Sequence, residues 1–173
     1  LEELAHAIHG AGNENDTKVI VLRSSGTTSF CAGASFTELS ALTTVDEAQK
    51  FFSGFAHVIN AMRTCPKFII ARVHGRAVGG GVGIIAAADY TVAVEGADIK
   101  LSELSIGIGP FVIGPVLQRR IGISAFSHLA IDSGMWRNAE WAKRKGLYAE
   151  VHNDADGMDE SISRLATTLT HAN

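Results

Sequence analysis

The chain has 173 residues, of which 46% are hydrophobic and 19% are charged, with a formal net charge of −3. This length and composition predict one globular domain over residues 1–173 with a sizeable core. The net negative charge and the lack of a basic run exclude a typical nucleic-acid surface. The longest apolar runs are also far too short to span a bilayer.

The cysteines and histidines do not predict a metal site. Cys31 and Cys65 lack metal-ligand spacing, and buried free thiols in a reducing compartment are the simplest interpretation. His6 and His9 share a predicted helix face, but no further ligand lies near them in the sequence. The first residue is not Met, so we expect a processed or trimmed start, from which secretion cannot be argued.

The first half of the chain alternates between helical and strand patterns. A helix is predicted from Leu1, with Gly10 and Gly12 expected to end it. A buried β-branched strand follows at 18–23 (KVIVLR), then a Gly/Ser/Thr loop at 24–36 and a short helix around TEL. Thr44 begins a long amphipathic helix, with Glu47 at capping-box spacing and Pro66 as the stop signal.

The second half continues the alternation. Its predicted elements are a buried strand at 67–73, a helix at 82–89, strands at 90–95 and 99–103, helices at 116–122, 124–132 and 139–146, a strand at 147–152 and a final amphipathic helix carrying Met158, Ile162, Leu165 and Leu169. Strands that alternate with helices predict an α/β domain with mostly parallel pairing.

Three adjacent glycines, Gly79, Gly80 and Gly81, precede the helix predicted at 82–89. A helix start offers unpaired N–H groups and partial positive charge, and glycine lets a ligand oxygen approach them. Tight packing against a neighbouring strand is the alternative explanation. Three glycines in a row after a buried strand favour an anion site.

Two kinds of anion site are consistent with these glycines. Gly81, Gly83 and Ala86 match a dinucleotide fingerprint, with Glu103 as the ribose-binding acid, but HGRAVGG separates the first glycine from its strand and disfavours this interpretation. An oxyanion hole needs a second N–H donor, and the small-residue turn at 29–36 (SFCAGASF) supplies a candidate. If the strands at 18–23 and 67–73 are neighbours, both turns emerge at the same sheet edge.

Several motifs occur in an order that resembles the crotonase, or enoyl-CoA hydratase/isomerase, superfamily. They are FCAGASFTEL, VHGRAVGGGVGIIAAADYTVA, LSELSIGIGP and RRIGISAFSHLAIDSGMWRNAEWAKRKGLYAEV. The third motif and the residues after it look closest to the methylglutaconyl-CoA hydratase-like branch. The resemblance implies a crotonase-like ββα spiral core, without the N-terminal hairpin and C-terminal helices usual in the family.

The resemblance also implies site residues. The N–H groups of Ala34 and Gly80 correspond to the family's two donors to a thioester oxygen, and the stretch Ala34, Ser35, Phe36 and Thr37 would line the coenzyme A channel. Glu103 corresponds to one of the two glutamates that family hydratases carry. The other falls at Gly83, and Ser35 replaces a usual aspartate, so a single carboxylate remains. Taken alone, Glu103 would be an exposed loop charge, as most glutamates are.

The implied function is an enoyl-CoA hydratase in fatty acid metabolism, with a single-glutamate double-bond isomerase as the alternative and a non-catalytic acyl-CoA-binding subunit as another. The residues Phe111, Val112 and Ile113 are expected to line the acyl pocket. Arg76 could meet a substrate carboxylate, although a solvated arginine is the simpler interpretation. The substrate is carried as a coenzyme A thioester without a further cofactor or metal. A homotrimer or hexamer in the cytoplasm, or in the mitochondrial matrix of a eukaryote, is expected.

Overall fold

The computed structural model describes residues 1–171. The helices are α1 (Glu2–Asn13), α2 (Phe36–Ser40), α3 (Val45–Thr64), α4 (Gly80–Ala87), α5 (Gly114–Ile131), α6 (Ala139–Arg144) and α7 (Ala155–Thr170). The strands are β1 (Val19–Arg23), β2 (Ser29–Cys31), β3 (Phe68–Val73), β4 (Arg76–Val78), β5 (Tyr90–Val94), β6 (Ile99–Lys100) and β7 (Glu150–His152). None of the helices within residues 1–171 is long and apolar enough to cross a membrane.

The strands form two parallel sheets, as the α/β alternation predicts. The larger sheet has the order β1-β3-β5-β7, and the smaller has the order β2-β4-β6. The chain crosses from β3 to β4 through His74 and Gly75. A Cβ on Gly75 would lie 2.6 Å from the carbonyl oxygen of Thr28, so only glycine permits this close crossing.

The larger sheet carries most of the buried strand surface. The centre of β3 is fully buried, and α7 packs across β1, β3 and β5. The ion pair between Arg72 on β3 and Asp159 on α7, with Nη2 and Oδ2 2.8 Å apart, fixes this contact. β1 lies at the edge of the sheet and Val21 is 40% exposed, so the strand predicted at 18–23 is present but is not fully buried.

The long helix α3 begins with a side-chain cap, whereas α1 and α4 have none. The predicted capping box starts α3: the hydroxyl of Thr44 accepts from the Glu47 N–H at 3.2 Å, and the Glu47 carboxylate accepts from the Thr44 N–H at 3.1 Å. α4 lies between α3 and α5 and against β2 and β4. Because it contacts protein on every side, its residues from Gly81 to Ala86 are buried.

The structure corrects several predicted boundaries. α4 begins at Gly80 rather than at residue 82, and β7 contains only Glu150–His152 of the strand predicted at 147–152. α1 continues through Gly10 and Gly12 to Asn13, because its packing against α3 outweighs the weak helix propensity of glycine. The strand predicted at 99–103 contains only Ile99–Lys100, and a 3₁₀ turn follows at Leu104–Ile106. The break predicted between the helices at 116–122 and 124–132 is present within α5 at Gly122, where a φ of +77° interrupts the helix.

Candidate active site

The three residues predicted as catalytic all follow strands of the smaller sheet. Ala34 comes after β2, Gly80 after β4 and Glu103 after β6. Because these strands are parallel neighbours, the segments that follow them emerge at one edge of the sheet. The sequence predicted that the two turns would meet at the edge of a sheet formed by the strands at 18–23 and 67–73. Those strands do pair in parallel, as β1 and β3 of the larger sheet. The turns instead follow the next strands along the chain, β2 and β4, which belong to the smaller sheet.

All three residues line one cavity of about 260 Å³. Glu103 is the only titratable side chain among the described residues that line it. Most of the remaining wall is apolar, and its large side chains are Phe36, Leu39, Phe52, Phe55, Val78, Ile106, Ile108, Phe111, Val112 and Ile113. An apolar cavity with few polar groups is the usual form of a small-molecule site.

The turn before Ala34 approaches β4 closely. Gly33 has a φ of +86°, and a Cβ at this position would lie 3.0 Å from the carbonyl oxygen of Val78. Glycine is therefore required both for the left-handed backbone and for the contact. The Ala34 N–H donates to no backbone or side-chain acceptor among the described residues, so it is free for a ligand oxygen.

The adjacent glycines begin α4 and are packed against neighbouring side chains. Gly79 has a φ of +53° and donates its N–H to the carbonyl of Lys100 at 2.9 Å. A Cβ on Gly80 would lie 2.5 Å from Cζ of Phe55, and one on Gly81 would lie 2.6 Å from Cβ of Cys31. The N–H groups of Gly80 and Gly81 also lie in the first turn of α4, where no helical carbonyl precedes them. Close packing and a free helix start thus both account for the glycines.

Glu103 is not an exposed loop charge. Its Oε1 would lie 3.0 Å from a Cβ on Gly79, and its Oε2 is buried with no hydrogen-bond partner among the described residues. Burial raises the pKa of the Glu103 carboxyl, while the N–H groups of Glu103 and Ser102 lower it by a smaller amount. A carboxyl with a raised pKa in a cavity is suited to taking up and returning protons.

The packing around residue 83 explains why this position is a glycine. A Cβ at this position would overlap the side chain of Ile113, lying 2.8 Å from its Cβ, and would lie 3.3 Å from Cδ1 of Ile59. Gly83 is buried and absent from the cavity wall, whereas Ile113 lines the wall. The packing of Gly81 and Gly83 against side chains disfavours the dinucleotide interpretation, which needs open space above its glycines.

The four residues predicted to line the coenzyme A channel are placed differently. Ala34 and Phe36 line the cavity, and Ala34 and Ser35 line an adjoining surface groove of about 890 Å³. Ser35 also caps α2, its hydroxyl accepting from the Glu38 N–H at 3.2 Å. Thr37 is exposed and lies outside both linings.

Other predicted positions lie away from the cavity. Arg76 on β4 stacks on Trp136, with its Cζ 5.0 Å from the ring centroid, and does not line the cavity. Both cysteines are free thiols but are only partly buried. Among residues 1–171 no group of three or more His, Cys, Asp or Glu side chains could hold a metal ion. As predicted, Phe111, Val112 and Ile113 line the cavity.

Sequence reasoning did not assign Phe52 or Phe55 to the site. Both lie on α3, for which the sequence predicts only an amphipathic helix. Helical periodicity alone does not separate an aromatic side chain that lines a cavity from one that packs in the core.

Comparison with known proteins places this chain in a family. The family described as enoyl-CoA hydratase/isomerase matches residues 1–173, and the chain belongs to it. The chain is 26% identical to the peroxisomal Delta(3,5)-Delta(2,4)-dienoyl-CoA isomerase of Arabidopsis thaliana, covering 95% of this chain and 63% of that protein. It is 32% identical to the mitochondrial methylglutaconyl-CoA hydratase of Mus musculus, covering 87% of this chain and 48% of that protein.

A solved structure shows the same architecture. The enoyl-CoA hydratase of Mycobacterium smegmatis superposes with a TM-score of 0.91 at 27% identity, covering 98% of this chain and 65% of that one. The predicted crotonase-like α/β fold is therefore confirmed. The chain spans between about half and two-thirds of the length of these relatives.

Proposed function

We propose that the complete protein hydrates the double bond of a 2-enoyl-CoA thioester. Glu103 serves as the acid and base, and the amides of Ala34 and Gly80 bind the thioester oxygen. The observation that carries this proposal is the cavity at the edge of the smaller sheet, which is lined by all three residues and by no second titratable side chain among those described.

The two amides stabilise the charge that forms during the reaction. Addition to, or deprotonation beside, a thioester places negative charge on its oxygen. The free N–H of Ala34 and the helix-start N–H of Gly80 lie on facing segments, which Gly33 and Gly79 bring together through their left-handed backbones. Each donor of this kind contributes about 2.7–4 kcal/mol of transition-state stabilisation.

Glu103 moves the protons. As water adds to C3 of the acyl chain, the ionised carboxylate accepts a proton from the water. The resulting carboxylic acid then returns that proton to C2, and the enolate collapses to the saturated thioester. One carboxylate can perform both transfers on one face of the double bond, and its raised pKa keeps both protonation states accessible.

Double-bond isomerisation is the second candidate. The lining residues include only one carboxylate, and the wall at Val112 and Ile113 is hydrocarbon. In this reaction the Glu103 carboxylate removes a proton from C2 of a 3-enoyl thioester and returns it to C4, while the double bond moves. No water is consumed, so a single proton carrier in an apolar cavity is sufficient.

The remaining predictions belong to the whole protein. The groove at Ala34 and Ser35 adjoins the cavity and has room for part of the coenzyme A chain. A homotrimer, or two trimers paired as a hexamer, is proposed from the family resemblance. The cellular compartment stays a prediction.

The complete protein should be assayed against straight, branched and dicarboxylic 2-enoyl-CoA and 3-enoyl-CoA thioesters. Hydration of at least one 2-enoyl-CoA supports the proposal. Turnover of 3-enoyl-CoA substrates alone supports the isomerase. Tight coenzyme A binding without turnover on the whole panel would instead support a non-catalytic subunit, and a thermal shift with NAD or NADP would revive the dinucleotide interpretation.

A further inference from the structure

We propose that three arginines at the far end of α4 from the active-site cavity form a binding site for a phosphate group. The arginines are Arg63, Arg119 and Arg120, and the ligand is a phosphate ion or a small molecule that carries a phosphate. None of the three lines the active-site cavity. The inference is therefore independent of the proposed function.

The arginines converge on a cleft of about 280 Å³ where α4 ends. Arg63 comes from the last turn of α3, and Asp89 follows the end of α4. Val116, Arg119 and Arg120 come from α5 and are spaced three and four residues apart, so they share one helix face. Three elements that are distant in the sequence thus bring their guanidinium groups to one place.

The cleft has more positive charge than negative charge. None of its three guanidinium groups forms an ion pair with a carboxylate among residues 1–171. Asp89 is the one carboxylate of the described lining, and its Oδ2 accepts from the Ile69 N–H at 2.8 Å. Three cations facing one anion favour a dianion such as phosphate over a single carboxylate.

Arg120 has unused hydrogen-bond donors. Its Nη1 and Nη2 share one acceptor, the Asp89 carbonyl oxygen, at 3.3 Å each, and its Nε is buried with no partner among the described residues. Burial lowers the pKa of the Arg120 guanidinium, and the charge of Asp89 offsets part of this effect. A guanidinium carries five N–H donors, so an anion bound here would gain hydrogen bonds and offset the cost of burying the cation.

Ordinary solvated arginines are the alternative explanation. Arg63 and Arg119 are exposed, and Arg63 lies in the last turn of α3, where the helix carbonyls stabilise a cation. This explanation does not account for the partly buried Arg120 or for the shared cleft. Guanidinium groups bind phosphate oxygens in a bidentate geometry, and the cleft has room for a phosphate with a small attached group.

Calorimetric titration of the complete protein with sodium phosphate tests the site, with sodium chloride at equal ionic strength as the reference. Phosphate should bind saturably with one site per chain. Arg63→Gln and Arg119→Gln should each weaken this binding about tenfold or more. Arg144→Gln, which removes an exposed arginine of α6 outside the cleft, is the matched control and should leave the affinity unchanged. Both cleft variants replace exposed side chains, so their Tm without phosphate should stay near the wild-type value.

Glucose 6-phosphate, as a second titrant, distinguishes a free phosphate ion from a phosphate on a larger molecule. Tighter binding of either probe supports the inference and identifies the source of the phosphate. Binding of neither probe, or the same affinity in the cleft variants as in Arg144→Gln, would overturn it. A lower Tm in Arg119→Gln combined with no phosphate binding by the wild type would show that another part of the complete protein occupies the arginines, and would also overturn it.

Discussion

The two sheets of this molecule divide stability from chemistry. The larger sheet has two central strands, β3 and β5, whose residues are mostly buried, and it carries none of the three proposed catalytic residues. The smaller sheet has strands of two or three residues, yet the segments after β2, β4 and β6 hold Ala34, Gly80 and Glu103. The difference teaches that a small framework can position a site when a larger core supports it. Variants in the two sheets should therefore have separable effects.

The largest expected effect on activity comes from Glu103→Gln. Removing the only carboxylate of the described lining should lower kcat about 10²–10⁴-fold. The Tm at pH 7 should be unchanged or slightly higher, since the substitution removes a half-buried charge. Glu140→Gln, whose carboxylate is exposed and pairs with Arg144 at 3.7 Å, is the matched control. A variant Glu103→Gln that retained full kcat would contradict the assignment of the base.

The opposite outcome is expected in the larger sheet. Ile70 on β3 is 0% exposed, and Ile70→Ala should reduce the free energy of unfolding by about 2–5 kcal/mol. Val21→Ala on the exposed edge strand should cost much less. Chemical denaturation measures both losses, and kcat per folded molecule should stay near the wild-type value. A large loss of kcat in the folded fraction of Ile70→Ala would show that the larger sheet also contributes to catalysis, and would contradict the division of roles between the two sheets.

Two glycines test whether the turn after β2 positions the Ala34 amide. Gly33 and Gly96 both have left-handed backbones, with φ of +86° and +84°. Only Gly33 packs against Val78, because a Cβ on Gly96 would meet nothing within 4 Å. Both alanine substitutions should lower the Tm, but only Gly33→Ala should displace the Ala34 amide and lower kcat, by up to about 10²-fold. Equal kcat in the two variants would contradict a role for this turn in positioning the donor.

The pH dependence of turnover follows from the burial of Glu103. The carboxylate form is the base, so kcat/KM should rise with pH through the pKa of this group. Because burial raises that pKa, the acid limb should have its midpoint above 4.5, the ordinary value for a glutamate. A midpoint at or below 4.5 would indicate a solvent-exposed carboxylate instead.

The smallest effect concerns stability rather than turnover. Burial lowers the pKa of the His74 imidazole below its ordinary value of 6.5, and the nearby charge of Arg72 lowers it further. The folded protein therefore binds fewer protons here than the unfolded chain, so this contribution to stability is present above about pH 6.5 and is lost as the pH falls below it. His74→Gln should flatten the Tm profile between about pH 6.5 and 5. An equally steep Tm profile in His74→Gln would contradict this contribution.

The sequence predicted the larger sheet better than the smaller one. The runs KVIVLR and KFIIARV are long and β-branched, and each gave a strand close to its predicted bounds. β2 and β4 were missed, because three residues flanked by glycine, serine and threonine carry too little periodicity to distinguish from a loop. Whether a strand lies at the edge or in the centre of a sheet depends on its pairing with strands that are distant in the sequence. The exposure of the edge strand β1 was therefore not predicted.

The site shows the same division. Ala34, Gly80 and Glu103 were located by motifs, and the structure brings all three to one cavity. The steric reason for a glycine at position 83 was not predictable, because Ile113 lies 30 residues further along the chain and only the fold brings the two residues together. The same holds for Thr37, whose place outside the cavity depends on how α2 is turned.

The central claim is that two backbone amides and one carboxylate from the smaller sheet act on the same thioester. A crystal structure of the complete protein with a bound, unreactive enoyl-CoA analogue tests it most directly. The account predicts the thioester oxygen at about 2.7–3.1 Å from both the Ala34 and Gly80 nitrogens, with the Glu103 carboxylate facing the C2 and C3 atoms. A thioester oxygen bound to neither amide, or a Glu103 side chain turned away from the acyl group, would contradict it.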